Sequence, residues 1–273
     1  MGYAHITNLY RASDFLEVFA LEKIHGTSSH VKFKEGQIHY HSGGVSHEAF
    51  KSLFDEAELK SQFDQRFKPD NEVTFFGEAF GGKCQGMSET YGKQLRFICF
   101  DVLIEGLWLN VDAAHQLVND FGLEFVPYER GPNNLEWLNS QRDADSLVAV
   151  APGKIREGIV IRPIREMVFN NGERVIFKHK RDEFMETKTT RQVDPEKMKI
   201  IEDAQAIAEE YVTPNRLEHV LQRVPFNSDS DIGTIIKAMQ EDVEREASGE
   251  ITWSKAAASA IGKKTAFMLR SIK

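Results

Sequence analysis

The sequence predicts an α+β protein, with an antiparallel-sheet domain over residues 1–190 and a small helical C-terminal domain over residues 191–273. Three observations support this fold class. Segments of alternating or continuously apolar residues, typical of strands, dominate the first two thirds of the chain. Short turn-forming stretches separate these segments, as in antiparallel sheets. After about Thr190 the apolar residues recur with helical spacing, and Pro195 and Pro214 stand where helices should begin.

The first predicted elements are a hairpin and a helix. Residues 29–34 and 37–41 alternate in residue type on either side of Glu35-Gly36, which predicts two strands joined by a tight turn. Ser46 is then positioned to cap a helix, since serine is a favoured capping residue. The apolar positions of this helix are Phe50, Leu53, Phe54, Phe63 and Phe67.

The later elements of the first domain are mainly strands. Residues 72–80 and 95–104 predict two buried strands, separated by a glycine-bearing loop over residues 81–92. A helix is predicted over residues 112–121, ending at Gly122. Two more strands are predicted over residues 157–165 and 173–180, joined by the turn Asn170-Asn171-Gly172.

Composition excludes several classes of protein. The 273 residues include 34 Lys+Arg and 42 Asp+Glu, which gives a net charge of −8. No apolar run is long enough to span a membrane, and the first fifteen residues do not resemble a secretory signal. Two cysteines, Cys84 and Cys99, are too few for a disulfide framework, so we expect a cytoplasmic protein. The acidic balance argues mildly against binding of nucleic acid through bulk charge.

Charged residues interrupt four segments that otherwise predict buried strands. Burying a charged Lys or Glu side chain costs free energy, so it is rare unless the side chain is paired with an opposite charge or has a function. Any single one is more simply interpreted as an edge-strand charge that faces water. Four such segments with both signs of charge instead indicate a polar cleft between sheets. The charged residues are Glu22, Lys23, Glu78, Glu157, Lys178 and Lys180.

The order of these segments is similar to that of a known family. Lys23-Ile24-His25-Gly26 is a Lys-x-x-Gly element, followed by an acidic strand, the strand Glu-Gly-Ile-Val-Ile-Arg and a Lys-x-Lys strand end. Over about residues 21–180 the chain resembles the RNA ligase 2 family, the bacteriophage-type ATP-dependent RNA ligases of the covalent nucleotidyltransferase superfamily. The resemblance implies that residues 1–190 form an adenylyltransferase domain.

A lysine amine suits covalent nucleotide transfer when neighbouring cations or desolvation favour its neutral, nucleophilic form. The resemblance identifies Lys23 as this nucleophile, which becomes AMP-lysine. Lys178 and Lys180 are two residues apart on a strand and so point to the same face, where both can reach one phosphate. The resemblance assigns them to the α-phosphate of ATP. Gly26 is expected to let the backbone turn tightly beside the nucleotide.

The resemblance also implies how the rest of the nucleotide is bound. Glu78 would hold the ribose hydroxyls and Phe100 would stack on adenine, although Phe100 could equally be a core residue. Glu157 would lie near an essential Mg²⁺ or Mn²⁺, directly or through water. His25 would act in the later steps. Glu22 would assist the base or the metal, or would have a structural role.

The implied reaction joins a 3′-hydroxyl to a 5′-phosphate at RNA ends or nicks, through lysyl-AMP and adenylated RNA, in RNA repair. The expected partners are ATP, a divalent metal and RNA, and no membrane. We expect a monomer in the cytoplasm, which would be the host cytoplasm if the protein is phage-encoded. Basic residues concentrate at residues 174–191 and 255–273, which favours local contact with a terminus or nick.

The chain departs from the family pattern at two places. Thr27-Ser28 follows the motif glycine where the family usually has Thr-Asn. An arginine normally found on the following hairpin has no obvious match, and the hairpin offers His39, His41 and Ser42 instead.

Two other classes of function stay open from the sequence. A DNA ligase or a GTP-using capping enzyme usually has an aspartate where this chain has His25, and a β-barrel where this chain has predicted helices. A catalytically inactive nucleotide- or RNA-binding module would typically have lost Lys23, Glu157 or Lys180, and all three are present.

Overall fold

The computed structural model describes residues 16–169, 172–185 and 203–271. The chain divides into two compact units, Met1–Arg181 and Asp182–Lys273. The predicted α+β class is confirmed, with antiparallel sheets in the first unit and helices in the second. The predicted domain boundary between residues 190 and 191 lies outside the described residues, as do Pro195 and the Asn170-Asn171 part of the predicted turn.

The described residues of the first unit form two antiparallel sheets. The strands are β1 (Glu17–Lys23), β2 (Thr27–Lys34), β3 (Gln37–Ser42), β4 (Val73–Gly81), β5 (Leu95–Ile104), β6 (Leu107–Trp108), β7 (Tyr128–Pro132), β8 (Gly158–Pro163) and β9 (Phe177–Lys180). One sheet has the order β7-β1-β8-β9 and the other has the order β3-β2-β4-β5-β6. The predicted hairpin is confirmed as β2 and β3, which pair around Glu35-Gly36.

The helices of the first unit are short. They are α1 (His47–Lys51), α2 (Glu56–Arg66), α3 (Ser88–Tyr91), α4 (Val111–Asp120) and α5 (Leu135–Arg142). The prediction of one helix after Ser46 is wrong, because two helices follow. Ser46 does cap α1, accepting from the Ala49 N–H, but Asp55 caps α2 in the same way and so starts a separate helix.

Some predicted helix and strand boundaries differ from those in the structure. The helix predicted over residues 112–121 begins at Val111, because the Asn110 side chain accepts from the Ala113 N–H, and Gly122 ends it with a φ of +67°. The strand predicted over residues 173–180 is regular only over β9. The strand predicted over residues 157–165 is β8.

The core of the first unit includes buried residues of the five-stranded sheet and of α1, α2 and α4. Phe33 on β2 stacks on Phe63 on α2 with ring centroids 4.9 Å apart, and Phe75 and Phe121 contact the same ring of Phe63. This packing covers one face of the sheet. The opposite face carries Glu78 and Phe76, the two partly exposed positions within β4.

The second unit is helical. Its helices are α6 (Ala204–Tyr211), α7 (Pro214–Arg223), α8 (Ile232–Glu246) and α9 (Lys255–Ser271). Pro214 is the first residue of α7, and Thr213 caps this helix by accepting from the Arg216 N–H. Their apolar faces form a separate core around Ile235, Met239 and Ile261. Among the described helices, none combines the length and apolar character needed to cross a membrane.

Candidate active site

Strand register brings the charged segments of the first sheet together. Lys23 is the last residue of β1 and lies opposite Gly158, the first residue of β8, which in turn lies opposite Lys180 at the end of β9. Gly158 has a φ of +153°, and a Cβ there would lie 2.2 Å from the carbonyl oxygen of His179. Only glycine fits this close approach, so the Glu157-Gly158 pair is needed to bring the three strand ends together.

Glu157 is the centre of the charged cluster. Its side chain is 1% exposed, and its two carboxylate oxygens contact different lysines. Lys23 Nζ lies 3.0 Å from Oε2, and Lys180 Nζ lies 2.8 Å from Oε1. His25 Nδ1 lies 3.2 Å from Oε2. One buried carboxylate therefore contacts the motif lysine, the motif histidine and the second lysine of Lys-x-Lys.

The electrostatics of the cluster favour an ionised carboxylate. Burial by itself would raise the pKa of Glu157, but Lys23, His25 and Lys180 together hold that pKa well below its usual range. Glu157 therefore carries its negative charge across the physiological pH range. A buried charge of this kind is tolerated because its partners compensate for lost hydration.

Gly26 is fixed by close approach to β4. A Cβ on Gly26 would lie 2.3 Å from the carbonyl oxygen of Ala79 and 2.9 Å from Cγ of Glu78. The Gly26 carbonyl accepts a hydrogen bond of 2.9 Å from Gln85 Nε2, and the His25 N–H donates to the Tyr91 hydroxyl at 3.3 Å. The glycine is needed here because two backbone segments touch.

Glu78 lies on β4 beside the charged cluster. Burial raises the pKa of Glu78 to about 7, and the charge of Glu157 acts in the same direction. Lys23, Lys180 and the Gly26 backbone N–H oppose the rise. Glu78 thus titrates near neutral pH, whereas Glu157 stays ionised.

A cavity of about 180 Å³ opens beside Lys23. Glu78 and Phe100 line it, together with Val160 of β8. Phe100 is placed there by a β-bulge: Phe76 pairs with Asp101 and Gly77 with Cys99, so Phe100 is the extra residue on β5. The mixture of apolar walls and a few charged groups is typical of small-molecule sites.

A buried network that includes two residues lining this cavity, Asp101 and Arg162, was not predicted from the sequence. Arg162 is 1% exposed, donates to the Leu109 carbonyl at 2.8 Å and pairs with Asp101 at 3.0 Å. Glu166 contacts Arg162, and Arg174 binds Asp101 at 2.6 Å and Glu166 at 2.8 Å. The signal that could have found it is the arginine inside the otherwise apolar Glu-Gly-Ile-Val-Ile-Arg segment.

Lys178 and Glu22 differ in exposure. Lys178 is exposed and lies opposite Val160, two residues before Lys180 on the same face of β9. The Glu22 carboxylate is buried and accepts from the Ser146 hydroxyl at 2.5 Å and from the Leu147 N–H at 2.9 Å. Of the two roles left open for Glu22, these contacts favour the structural one.

His39, His41 and Ser42, which the hairpin offers in place of the family's arginine, lie on β3. Ser42 Oγ accepts a hydrogen bond of 2.9 Å from Ser29 Oγ. His39 is exposed, and His41 stacks on His30 with ring centroids 4.9 Å apart.

Only one carboxylate of the cluster suits a divalent metal. Within the residues that the structure describes, no group of three or more His, Cys, Asp or Glu side chains could hold a metal ion. Mg²⁺ is nevertheless commonly held by one or two carboxylates together with substrate phosphates and water. Glu157 fits that requirement, provided that substrate phosphates supply the other ligands.

The geometry defines a class of site: a lysine and a buried carboxylate at strand ends, beside a small cavity bordered by a second carboxylate and an aromatic ring. The model of the RNA ligase family matches residues 16–180, which is more than half of the chain. The chain therefore belongs to the RNA ligase family.

Solved structures give a weaker likeness. A Naegleria gruberi RNA ligase mutant with AMP and Mn shares 18% identity and a TM-score of 0.49, over 64% of this chain and 52% of that one. Another mutant of this ligase, with ATP and Mn, shares 19% identity and a TM-score of 0.47, over 62% and 50%. The chain thus spans about half of the length of these structures. No curated protein shows significant similarity to the chain.

Proposed function

We propose that this protein is an ATP-dependent RNA ligase that works through a lysyl-AMP intermediate. The observation that carries the proposal is the contact of Lys23, Lys180 and His25 with the single buried carboxylate of Glu157, next to the cavity. Family membership supports the same conclusion.

In the first step the Lys23 amine attacks the α-phosphorus of ATP. A nitrogen–phosphorus bond forms, the bond to the pyrophosphate oxygen breaks so that pyrophosphate leaves with the electron pair, and the proton of the amine passes to water. Lys180 and Lys178 neutralise charge that develops on the α-phosphate. Glu157 holds Lys23 and Lys180 in place before ATP binds, and would also hold a divalent metal. The metal would supply positive charge to the phosphates.

The nucleoside would occupy the cavity beside Lys23. Phe100 offers an aromatic face for adenine, and Glu78 offers a carboxylate for the ribose hydroxyls. This arrangement would orient the α-phosphate toward the nucleophile. Orientation of this kind accounts for a large part of the rate enhancement in phosphoryl transfer.

The later steps act on RNA. AMP moves from Lys23 to a 5′-phosphate, and a 3′-hydroxyl then attacks the activated end and releases AMP. The resemblance assigns His25 to these steps, and its ring lies 3.2 Å from Glu157. The helical domain, which we place at residues 191–273, would support contact with RNA rather than adenylylation.

Labelling with α-labelled ATP and a divalent metal tests the first step. The intact protein should become covalently labelled, and Lys23→Ala should not. Lys237→Ala is the matched control, since Lys237 is 78% exposed in the second unit. Equal labelling of Lys23→Ala and the intact protein would contradict the proposal.

Substrate panels test the finer assignments. Labelling with ATP and not GTP is expected for a ligase rather than a capping enzyme. Sealing of 5′-phosphate RNA at nicks or free ends, in preference to DNA, is expected for an RNA ligase. Preference for DNA ends would show that the enzyme is a DNA ligase.

A further inference from the structure

The face of the five-stranded sheet opposite α2 carries a row of aromatic rings. His41 on β3 pairs with His30 on β2, and His30 pairs with Phe76 on β4, so these three side chains project from the same face. Trp108 on β6 extends the row, because its ring contacts that of Phe76. We call His41, His30, Phe76 and Trp108 the aromatic row.

The rings of the aromatic row are closely and evenly spaced. Their centroids are 4.9 Å apart between His41 and His30, 5.5 Å between His30 and Phe76, and 5.3 Å between Phe76 and Trp108. His41 is exposed, and the other three side chains are partly exposed. The row therefore runs across the sheet from β3 to β6, and its exposed end is His41.

Cationic side chains border the aromatic row. The Arg174 guanidinium lies 3.9 Å from the centroid of Trp108. Lys32, two residues from His30 on the same face of β2, and Lys34 both pair with Glu72. Lys32 and Lys34 thus border the row, and their charge is offset by Glu72 and, at Lys34, also by Glu35.

The aromatic row is continuous with the proposed nucleotide site. Phe76 and Glu78 are two residues apart on β4, on the same face, which is about 7 Å along the strand. Burial and the nearby His41 and Lys32 lower the pKa of His30. The lowered pKa favours the neutral form of the His30 ring.

We propose that the aromatic row is a stacking platform for unpaired bases of the RNA strand whose end is sealed. Aromatic faces bordered by Lys and Arg are the usual means of binding single-stranded RNA, whereas paired bases are shielded by their own stacking. The inference rests on the proposed function for its choice of RNA. It adds a binding surface outside the nucleotide cavity and the Lys23 cluster.

Binding of a short single-stranded 5′-phosphate RNA by the full-length protein tests the proposal. Phe76→Leu and Trp108→Leu should each weaken binding about five-fold or more, because a stacked base contributes ~1–3 kcal/mol. Phe177→Leu is the matched control: Phe177 is 53% exposed but lies on β9 of the four-stranded sheet, outside the row, and its loss should leave the Kd unchanged. Equal Kd values for all three variants and the intact protein would overturn the proposal.

Conservative variants separate loss of a ring from loss of fold. Phe76→Tyr and Trp108→Phe keep an aromatic face and should restore most of the affinity. If Phe76→Leu fails to fold, His41→Ala at the exposed edge of the sheet should still weaken binding. Tyrosine or phenylalanine variants as weak as the leucine variants would overturn the stacking role.

A blunt RNA duplex distinguishes stacking from contact with the phosphate backbone. Its Kd should not depend on Phe76 or Trp108, and equal weakening for duplex and single strand would contradict the proposal. Labelling by α-labelled ATP, measured on the same variants, should be unchanged. If the intact protein is not labelled at all, the proposed ligase function fails, while the RNA-binding comparison still tests the aromatic row.

Discussion

Two buried carboxylates, one in each compact unit, have similar surroundings and different chemistry. Glu157 contacts Lys23, Lys180 and the ring of His25. Asp242 on α8 contacts three arginines, Arg216 at 2.6 Å, Arg223 at 2.6 Å and Arg245 at 2.5 Å. Both carboxylates have a lowered pKa, because the opposing charges outweigh the effect of burial.

The difference lies in the basic partners. Lysine and histidine can lose a proton and then act as nucleophile or base, whereas arginine stays protonated in proteins. Glu157 lies at strand ends beside a cavity, while Asp242 joins helices α7 and α8. The first arrangement is therefore suited to group transfer, and the second to holding helices together.

The largest expected effect comes from replacing Lys23 by arginine, a cation that cannot act as a nucleophile. Lys23→Arg keeps the positive charge beside Glu157 but should reduce labelling by α-labelled ATP below detection, because arginine is not deprotonated. Arg216→Lys, the reciprocal exchange at Asp242, should leave labelling intact. Labelling of Lys23→Arg would show that the nucleophile is another residue.

Neutralising Glu157 should have the next largest effect. Glu157→Gln leaves Lys23 and Lys180 without their shared carboxylate, so we expect the labelling rate to fall about 100- to 1000-fold, the range typical for loss of one preorganised polar group. Single-turnover labelling at saturating ATP measures this rate. Asp242→Asn is the control and should label at the normal rate. A similar loss in both variants would mean that Glu157 acts only through the fold.

Asp242 is expected to affect stability instead. Asp242→Asn leaves buried Arg216 without its charge partner, and we expect the free energy of unfolding to fall by about 3 kcal/mol. Urea denaturation followed by circular dichroism measures this change. Since the pKa of Asp242 is lowered in the folded protein, its contribution is present above the unfolded pKa and lost as pH falls through the folded pKa. An unchanged denaturation midpoint would contradict the structural role.

The sequence predicted most of the site because the motif residues lie at the ends of recognisable strands. The alternating residues predicted β2 and β3, and the Lys-x-x-Gly, Glu-Gly and Lys-x-Lys elements predicted Lys23, Glu157 and Lys180 as site residues. Their mutual contacts depend on the antiparallel register of β1, β8 and β9. The roles of these residues stay predictions until labelling tests them.

The remaining features depend on contacts that local patterns do not encode. Arg162 and Asp101 are 61 residues apart in sequence, and Glu22 binds Ser146 across 124 residues. The break between α1 and α2 was missed because Leu53 and Phe54 keep apolar spacing across it. They pack against the core from the connecting segment, and Asp55 starts the second helix.

Glu78 gives the smallest expected effect and differs from both carboxylates of the comparison, because its pKa is raised. The ordinary value of 4.5 rises to about 7 in the folded protein. The stability that comes from binding this proton is fully present below the unfolded pKa and is lost as pH rises through about 7.

Between about pH 5 and about pH 8 the free energy of unfolding of the intact protein should therefore fall by about 2 kcal/mol more than that of Glu78→Gln. This figure allows for the partial exposure of Glu78. Glu89→Gln, which changes an exposed carboxylate on α3, is the control and should follow the intact protein. Urea denaturation at several pH values measures the difference between the curves. Parallel curves for the intact protein and Glu78→Gln would contradict a raised pKa of Glu78. Of these two site carboxylates, only Glu157 would then have a shifted pKa.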